Sequence, residues 1–188
     1  MTAAHRRPKT PDQTRRALLD AAAAQALAHG MAALSLPTVA EAAGVTKGAL
    51  FHHFGSKQGL IEALCADLIA RIDEEIDEVL ARDLGGYGTF TRAYVTCTFA
   101  PRGSASPWTS LSISAVADPG LARIWADWMN DRLRRHADTD TSPDLDVVRL
   151  ATDGYWLSTL QATTRTEPPD RLFQRLLALT HPAAISAE

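Results

Sequence analysis

The sequence predicts an all-α fold of about nine helices, with a small three-helix unit first and a longer helical body after it. Two observations carry this. Apolar residues recur at three- and four-residue spacing through most of the 188 residues, and glycine- and proline-rich stretches such as Gly85-Gly86-Tyr87-Gly88 and Pro168-Pro169 separate some of those runs. No segment alternates with the two-residue period of a half-buried strand, and no internal repeat is present.

The elements follow in order. Met1 to Pro11 is polar, basic and broken by Pro8 and Pro11, and reads as a flexible arm that either tracks a nucleic-acid backbone or is a tail without a role. A first helix is expected over about Asp12 to His29, with Leu18, Leu19, Ala22 and Leu27 inward and Gly30 ending it. Ser35 is placed to cap a second helix whose apolar stripe is Val39, Ala40 and Ala43. Gly44 then supplies a turn that favours left-handed backbone. Thr46 can cap a third helix with Ala49, Leu50 and Phe54 on its inner side, and Ser56 a fourth running to about Arg82. The acidic stretch Asp73 to Glu78 in that fourth helix reads as a solvated face.

Gly85-Gly86-Tyr87-Gly88 interrupts the pattern and reads as a hinge before a helix over Thr89 to Ala100. Residues 102–107 read as a loop and Trp108 to Ala117 as an apolar segment. Asp118 and Pro119 mark the start of a helix to about His136, and Ala137 to Pro143 is polar and turn-rich. Two last helices are expected over Asp144 to Thr164 and Asp170 to Thr180, parted by Pro168-Pro169. The resulting division is residues 1–11 as arm, 12–56 as head, and 57–188 as connecting helix and body.

Composition narrows the class. With 46% hydrophobic residues the chain can build a core, yet no apolar run approaches the roughly 20 residues of a membrane span. An apolar signal region is missing from the first residues, so a cytoplasmic location is expected. Cys65 and Cys97 lack metal-ligand spacing and read as reduced thiols. Net charge is −3, but residues 1–60 carry seven basic and three acidic side chains, leaving twelve basic and nineteen acidic for the rest. A basic head can meet phosphates while an acidic body is repelled from the duplex.

The residue types in the head point to groove reading. The third helix is short and presents Lys47, Gly48, His52 and His53 outward, so its small and polar N-terminal end can enter a major groove. Lys47 can donate to guanine acceptors or to a phosphate. The neighbouring histidines diverge on a helix, with no cysteine or acid to complete a zinc site, so no metal is expected.

At these residues the chain resembles the TetR family of bacterial transcriptional regulators. The resemblance rests on Val39-Ala40, Ala43-Gly44-Val45-Thr46, Gly48, Leu50-Phe51, His53-Phe54, Lys57, Leu60 and the apolar run into Leu64. It extends upstream through Thr14 to Gly30 and covers about the first third of the chain. It implies a DNA-binding set of Ser35, Thr46, Lys47, Gly48, Phe51, His52, His53 and Lys57, the last matching the family's phosphate-contacting lysine. Two departures matter. Phe51 stands where the family usually carries a tyrosine that bonds a phosphate, and Pro37 and Thr38 replace longer base-reading side chains found in some relatives.

The resemblance further implies a homodimer through the last two helices and a small hydrophobic or amphipathic effector held in the body. Candidate ligand-binding residues are Thr98, Trp108, Trp125, Trp128, Arg149, Asp153, Tyr155, Trp156 and Gln161. Each aromatic is equally open to a plain packing role. Asp153 lies within an apolar stretch, where it could select a cationic ligand, pair across a dimer, or cap an internal hydrogen bond. The leading expectation is a non-enzymatic, cofactor-free repressor on near-palindromic operator DNA. Its rivals are a helical small-molecule enzyme or carrier and an effector-independent DNA-binding protein. No Ser/His/acid or Cys/His pairing supports the first rival, and His136 and His181 have no identifiable partner in the sequence.

Overall fold

The computed structural model describes residues 10–100, 119–160 and 169–182. Within them lie nine α-helices: α1 (Pro11–His29), α2 (Leu36–Ala42), α3 (Lys47–Phe54), α4 (Lys57–Leu80), α5 (Thr89–Phe99), α6 (Pro119–Arg135), α7 (Ala137–Asp140), α8 (Pro143–Leu160) and α9 (Pro169–Leu179), with a 3-10 turn at Met31–Ala33. Most of the arm, the 102–107 loop, the Trp108 to Ala117 segment and Gln161 lie outside the described residues. None of the described helices is long and apolar enough to cross a membrane.

Helix α1 begins one residue earlier than expected. Thr10 and Gln13 form a reciprocal capping box, and Pro11 sits at the first helical position, where its missing N–H costs nothing. The head packs on one continuous core of Leu18, Leu19, Ala22 and Ala26 from α1, Met31, Leu34, Val39, Ala40, Ala43 and Leu50, and Leu60, Leu64 and Leu68 from α4. Arg16 braces it, donating to Asp67 at 2.5 Å and to Asp20 at 2.7 Å.

The second compact unit opens at Ile69 and takes in α5, α7, α8, α9 and α6 from Arg123 on. In it, Val95, Val148 and Leu176 join α5, α8 and α9, with Phe99 and Phe173 packed against them. The expected hinge is a braced turn. Asp83 accepts from Gly85 N–H, Thr89 Oγ1 and the Arg92 guanidinium, and Arg92 donates onward to the Thr180 carbonyl at 2.7 Å. Gly88 adopts φ +73°, and a Cβ there would lie 2.5 Å from the Thr180 carbonyl oxygen. The closeness of the last turn of α9 therefore requires glycine.

Residues 137–143, expected as turn alone, contain α7, because Asp140 is drawn inward. Its carboxylate accepts from the Phe90 and Thr91 N–H groups at 3.1 and 2.8 Å, satisfying the open first turn of α5. The acidic run of α4 is likewise only partly solvated. Asp73 and Asp77 both bind Arg132, which is 1% exposed.

Candidate functional site

Helix α3, expected from the sequence to be the reading helix, owes its shape to local chemistry. Helix α2 ends in paired bonds, Gly44 N–H to Glu41 and Val45 N–H to Ala40, with Gly44 at φ +65°. This arrangement closes a helix with a left-handed residue and turns the chain sharply. Thr46 then caps α3, accepting from Ala49 N–H at 3.1 Å. Gly55 ends α3 at φ +69°, and Ser56 caps α4 by accepting from Gly59 N–H at 2.9 Å.

Ser35 departs from its expected role. It occupies the N-cap position of α2, but its side chain makes no capping bond; instead its backbone N–H donates to Gln25 Oε1 at 3.2 Å. Pro37, in the first turn of α2, removes one of the amides a cap would serve.

On α3, Leu50 is fully buried and Phe54 packs on the head core, while Thr46, Lys47, Gly48, Phe51 and His52 are exposed and His53 is half-buried. The apolar face holds the helix and the polar face stays open. Phe51 is 41% exposed, and the Lys47 ammonium stands 5.7 Å from its ring centroid, a cation–π distance. Lys57 donates to the Ala32 carbonyl at 3.0 Å, using one of its three N–H groups. A surface groove of about 760 Å³ between α1 and α2 is lined by Ala17, Ala21 and Ala24 with Asp20 and Glu41, a charge sign unsuited to phosphate.

The body residues separate into distinct settings. Trp125 and Trp128 share one face of α6 with ring centroids 4.9 Å apart, and Trp128 Nε1 donates to Asp73 at 2.5 Å. Burial opposes ionisation of Asp73, but the Trp128 and Arg132 bonds outweigh it and hold the carboxyl below the usual range. Tyr155 stacks on Phe99 at 3.7 Å, and Phe99 in turn meets Phe173. Arg149 is buried in an ionic cluster, donating to Asp146, to Thr91 Oγ1 at 2.6 Å, and lying 3.8 Å from Asp140.

Asp153 accepts a short hydrogen bond from the Tyr94 hydroxyl, and Thr98 also bonds that phenol. Burial pushes the Asp153 carboxyl up, with the Tyr94 bond and the more distant Arg149 charge opposing. Burial, reinforced by the Asp153 charge, pushes the Tyr94 phenol well up. Trp156 is half-buried, and Trp108 and Gln161 lie outside the described residues. Cys65 and Cys97 are both buried, and burial raises the Cys65 thiol. Among the described residues no group of three His, Cys, Asp or Glu side chains could hold a metal.

Sequence reasoning passed over Arg132, Arg92, Tyr94 and Asp140. Arg132 did carry a signal: Leu121, Trp125, Trp128 and Arg132 fall at four-, three- and four-residue steps, so the arginine occupies the apolar stripe of its own helix.

A capped short helix set on a three-helix head, with α4 continuing from that head into an all-helical body, defines a helix-turn-helix regulator. The comparisons agree. A family model described as "Bacterial regulatory proteins, tetR family" matches residues 18–64, and one described as "Tetracyclin repressor-like, C-terminal domain" matches residues 88–181. The transcriptional repressor KstR2 of Mycolicibacterium smegmatis is 34% identical over 169 residues, 80% of each chain. The transcriptional regulator TtgR of Pseudomonas putida is 38% identical over 73 residues, 36% of this chain and 35% of that one, so the likeness to it spans about a third of its length. A TetR-family regulator from Rhodococcus sp. superposes with a TM-score of 0.68 at 22% identity, covering 90% of this chain and 100% of that one, a likeness of fold. The chain belongs to the TetR family of bacterial transcriptional regulators, which is a family of regulators and not of enzymes.

Proposed function

We propose that the protein is a ligand-responsive repressor that binds a near-palindromic operator as a homodimer and releases it when a small hydrophobic or amphipathic effector occupies the body. The observation that carries this reading is the outward face of α3. Thr46, Lys47, Gly48, Phe51 and His52 stand open to solvent on a helix whose opposite side is locked by Leu50 and Phe54. Lys47 and Lys57 place charge at or beside a helix N-terminus, where backbone amides add to phosphate attraction.

One such helix contacts only a few base pairs, so useful specificity needs two copies one helical turn apart. The outer face of α8 suits a second copy. Val147, Leu150, Gly154 and Leu157 follow three-, four- and three-residue steps, and the three apolar side chains are 62%, 69% and 37% exposed. Gly154 has open space where a Cβ would stand, which permits close helix approach. Leu179 of α9 adds a further exposed apolar side chain. Two α8–α9 pairs would form a four-helix interface with two-fold symmetry.

The test is selection of bound fragments from the source genome followed by gel shift, with sedimentation to fix stoichiometry. Sequence-selective binding by a dimer is expected, and Leu150→Glu should dissociate the dimer and abolish operator binding together. Binding without sequence preference at low salt, or operator binding by a monomer, overturns the reading. Release by candidate ligands separates a sensor from an effector-independent DNA-binding protein.

A further inference from the structure

We propose that the effector site is built around Asp153 and takes an organic cation, so that the body senses a positively charged hydrophobic molecule. The inference rests on the sensor reading above and adds the chemical class of its ligand.

The helices α5 and α8 meet across a polar seam with more negative than positive side chains. Asp140, Asp146 and Asp153 share it, among the described residues, with the guanidinium of Arg149 and with that of Arg92, which is bonded to Asp83 and reaches Asp140 only through its charge. Asp140 is fully provided for: it accepts from two backbone amides at the start of α5, from Thr91 Oγ1 at 2.6 Å and from Thr139 Oγ1 at 2.7 Å. Arg149 is committed to Asp146, Thr91 and the Asp140 carbonyl. It acts on Asp153 only through its charge and makes no bond to it. Among the described residues, no ion pair within 4.0 Å reaches Asp153.

What Asp153 does have is a neutral donor, the Tyr94 hydroxyl. A carboxylate withdrawn from water with only a neutral partner costs free energy that a bound cation would restore. The remaining surroundings favour an organic cation over a metal ion. Trp156, half-buried, lies one helical turn beyond Asp153 on α8, and Tyr94 is on the facing helix with its ring stacked on Phe90. Aromatic faces attract cations, whereas a hard metal ion would need several oxygen ligands. Asp153 is half-buried, so the residue keeps some access to solvent. The Tyr94 bond holds Oδ1.

The test uses the full-length protein and three probes: tetraphenylphosphonium, benzyltrimethylammonium, and neutral 2,2-dimethylpropylbenzene, the carbon isostere of the second. Calorimetry and thermal shift should show that at least one cation binds and that the neutral isostere binds more weakly. In Asp153→Asn, whose amide oxygen still accepts from Tyr94, cation affinity should fall by at least about tenfold while the folded state is kept. Tyr94→Phe, which leaves the carboxylate in place, should retain cation binding. In gel shifts the cation should release operator from the wild-type protein and not from Asp153→Asn. Failure of both cations to bind, or equal affinity in Asp153→Asn, overturns the proposal. Failure of operator binding with Asp153-dependent cation affinity intact would sink the repressor reading instead.

Discussion

Arg132 and Asp73, 59 positions apart in sequence, are joined by an Nε–Oδ1 bond of 2.6 Å, and Arg132 closes the contact with a second bond to the Asp73 carbonyl at 2.9 Å and a third to Asp77 at 2.6 Å. Both aspartates lie on α4, the helix whose earlier residues Leu60, Leu64 and Leu68 belong to the head core. Arg132 thus grips, from α6, the continuation of a helix on which the head is built. Burial alone would disfavour its charge, but Asp77 and Asp73 more than offset that and hold the guanidinium further protonated.

Replacing Arg132 by methionine keeps the length of the stem and takes from Asp73 its hydrogen-bonded cation, leaving it the Trp128 N–H and the Arg135 charge 3.8 Å away. Removing one partner of a buried pair typically costs 3–5 kcal/mol; with Asp77 59% exposed and able to recover water, about 2–3 kcal/mol is expected here. Urea denaturation followed by Trp fluorescence would report both the lost stability and the altered Trp128 surroundings. An unchanged midpoint would mean that the grip carries no net energy.

Asp83 gives the clearest pH dependence. The Arg92 bonds, opposed by burial and helped by Thr89 and the Gly85 amide, hold its carboxyl far below the ordinary range. A depressed folded pKa means the stabilisation is complete above the unfolded value, about 3.9, and is lost as pH falls through the lower folded value. Asp83→Asn should therefore lower stability by about 2 kcal/mol at pH 7, as expected for hydrogen bonds to a charged group, with the gap from wild type closing below pH 4. Melting curves at pH 7 and pH 3 would show this, and a gap constant with pH would contradict it.

Whether a feature was legible in the sequence depended on how far its partners lay along the chain. Thr46 with Ala49, Ser56 with Gly59, and Gly44 after α2 are contacts within a few residues, and pattern alone placed them. Ser35 was misjudged for a reason visible locally, the proline two residues on, whose missing N–H weakens the case for a cap. Asp73 and Asp77 read as solvated because an acidic run carries no mark of an arginine some 55 residues later. Asp140 was hidden in the same way, since its partners are the amides that open α5. Val147, Leu150 and Leu157 show the converse: apolar periodicity identified their helix but not that these three face outward.

Gly59 is where the head should be least tolerant of added volume. A Cβ there would lie 2.2 Å from the Phe54 carbonyl oxygen, a backbone atom that cannot swing away. Gly59→Ala should cost about 1–3 kcal/mol despite alanine's better helix propensity, and should displace α3 relative to the start of α4. Chemical denaturation and amide exchange in α3 would check it. Gly48, whose Cβ would meet only Thr46 Oγ1 at 3.8 Å, should accept alanine without loss of stability, so any loss of DNA binding there would be assigned to the groove contact.

The last prediction concerns the departure at position 51. Phe51 is exposed on α3 beside Lys47, on the face proposed to meet DNA, where a tyrosine would add a hydroxyl open to a phosphate. Phe51→Tyr adds a donor to a site already ordered by Leu50 and the Thr46 cap, so little extra conformational entropy is lost on binding. One net hydrogen bond of about 1 kcal/mol corresponds to a roughly fivefold tighter complex. A phosphate contact carries no base information, so the gain should be similar on the operator and on scrambled DNA, leaving the ratio of the two affinities unchanged. Competition gel shifts on both fragments would separate that outcome from a base contact, which would raise the operator affinity alone.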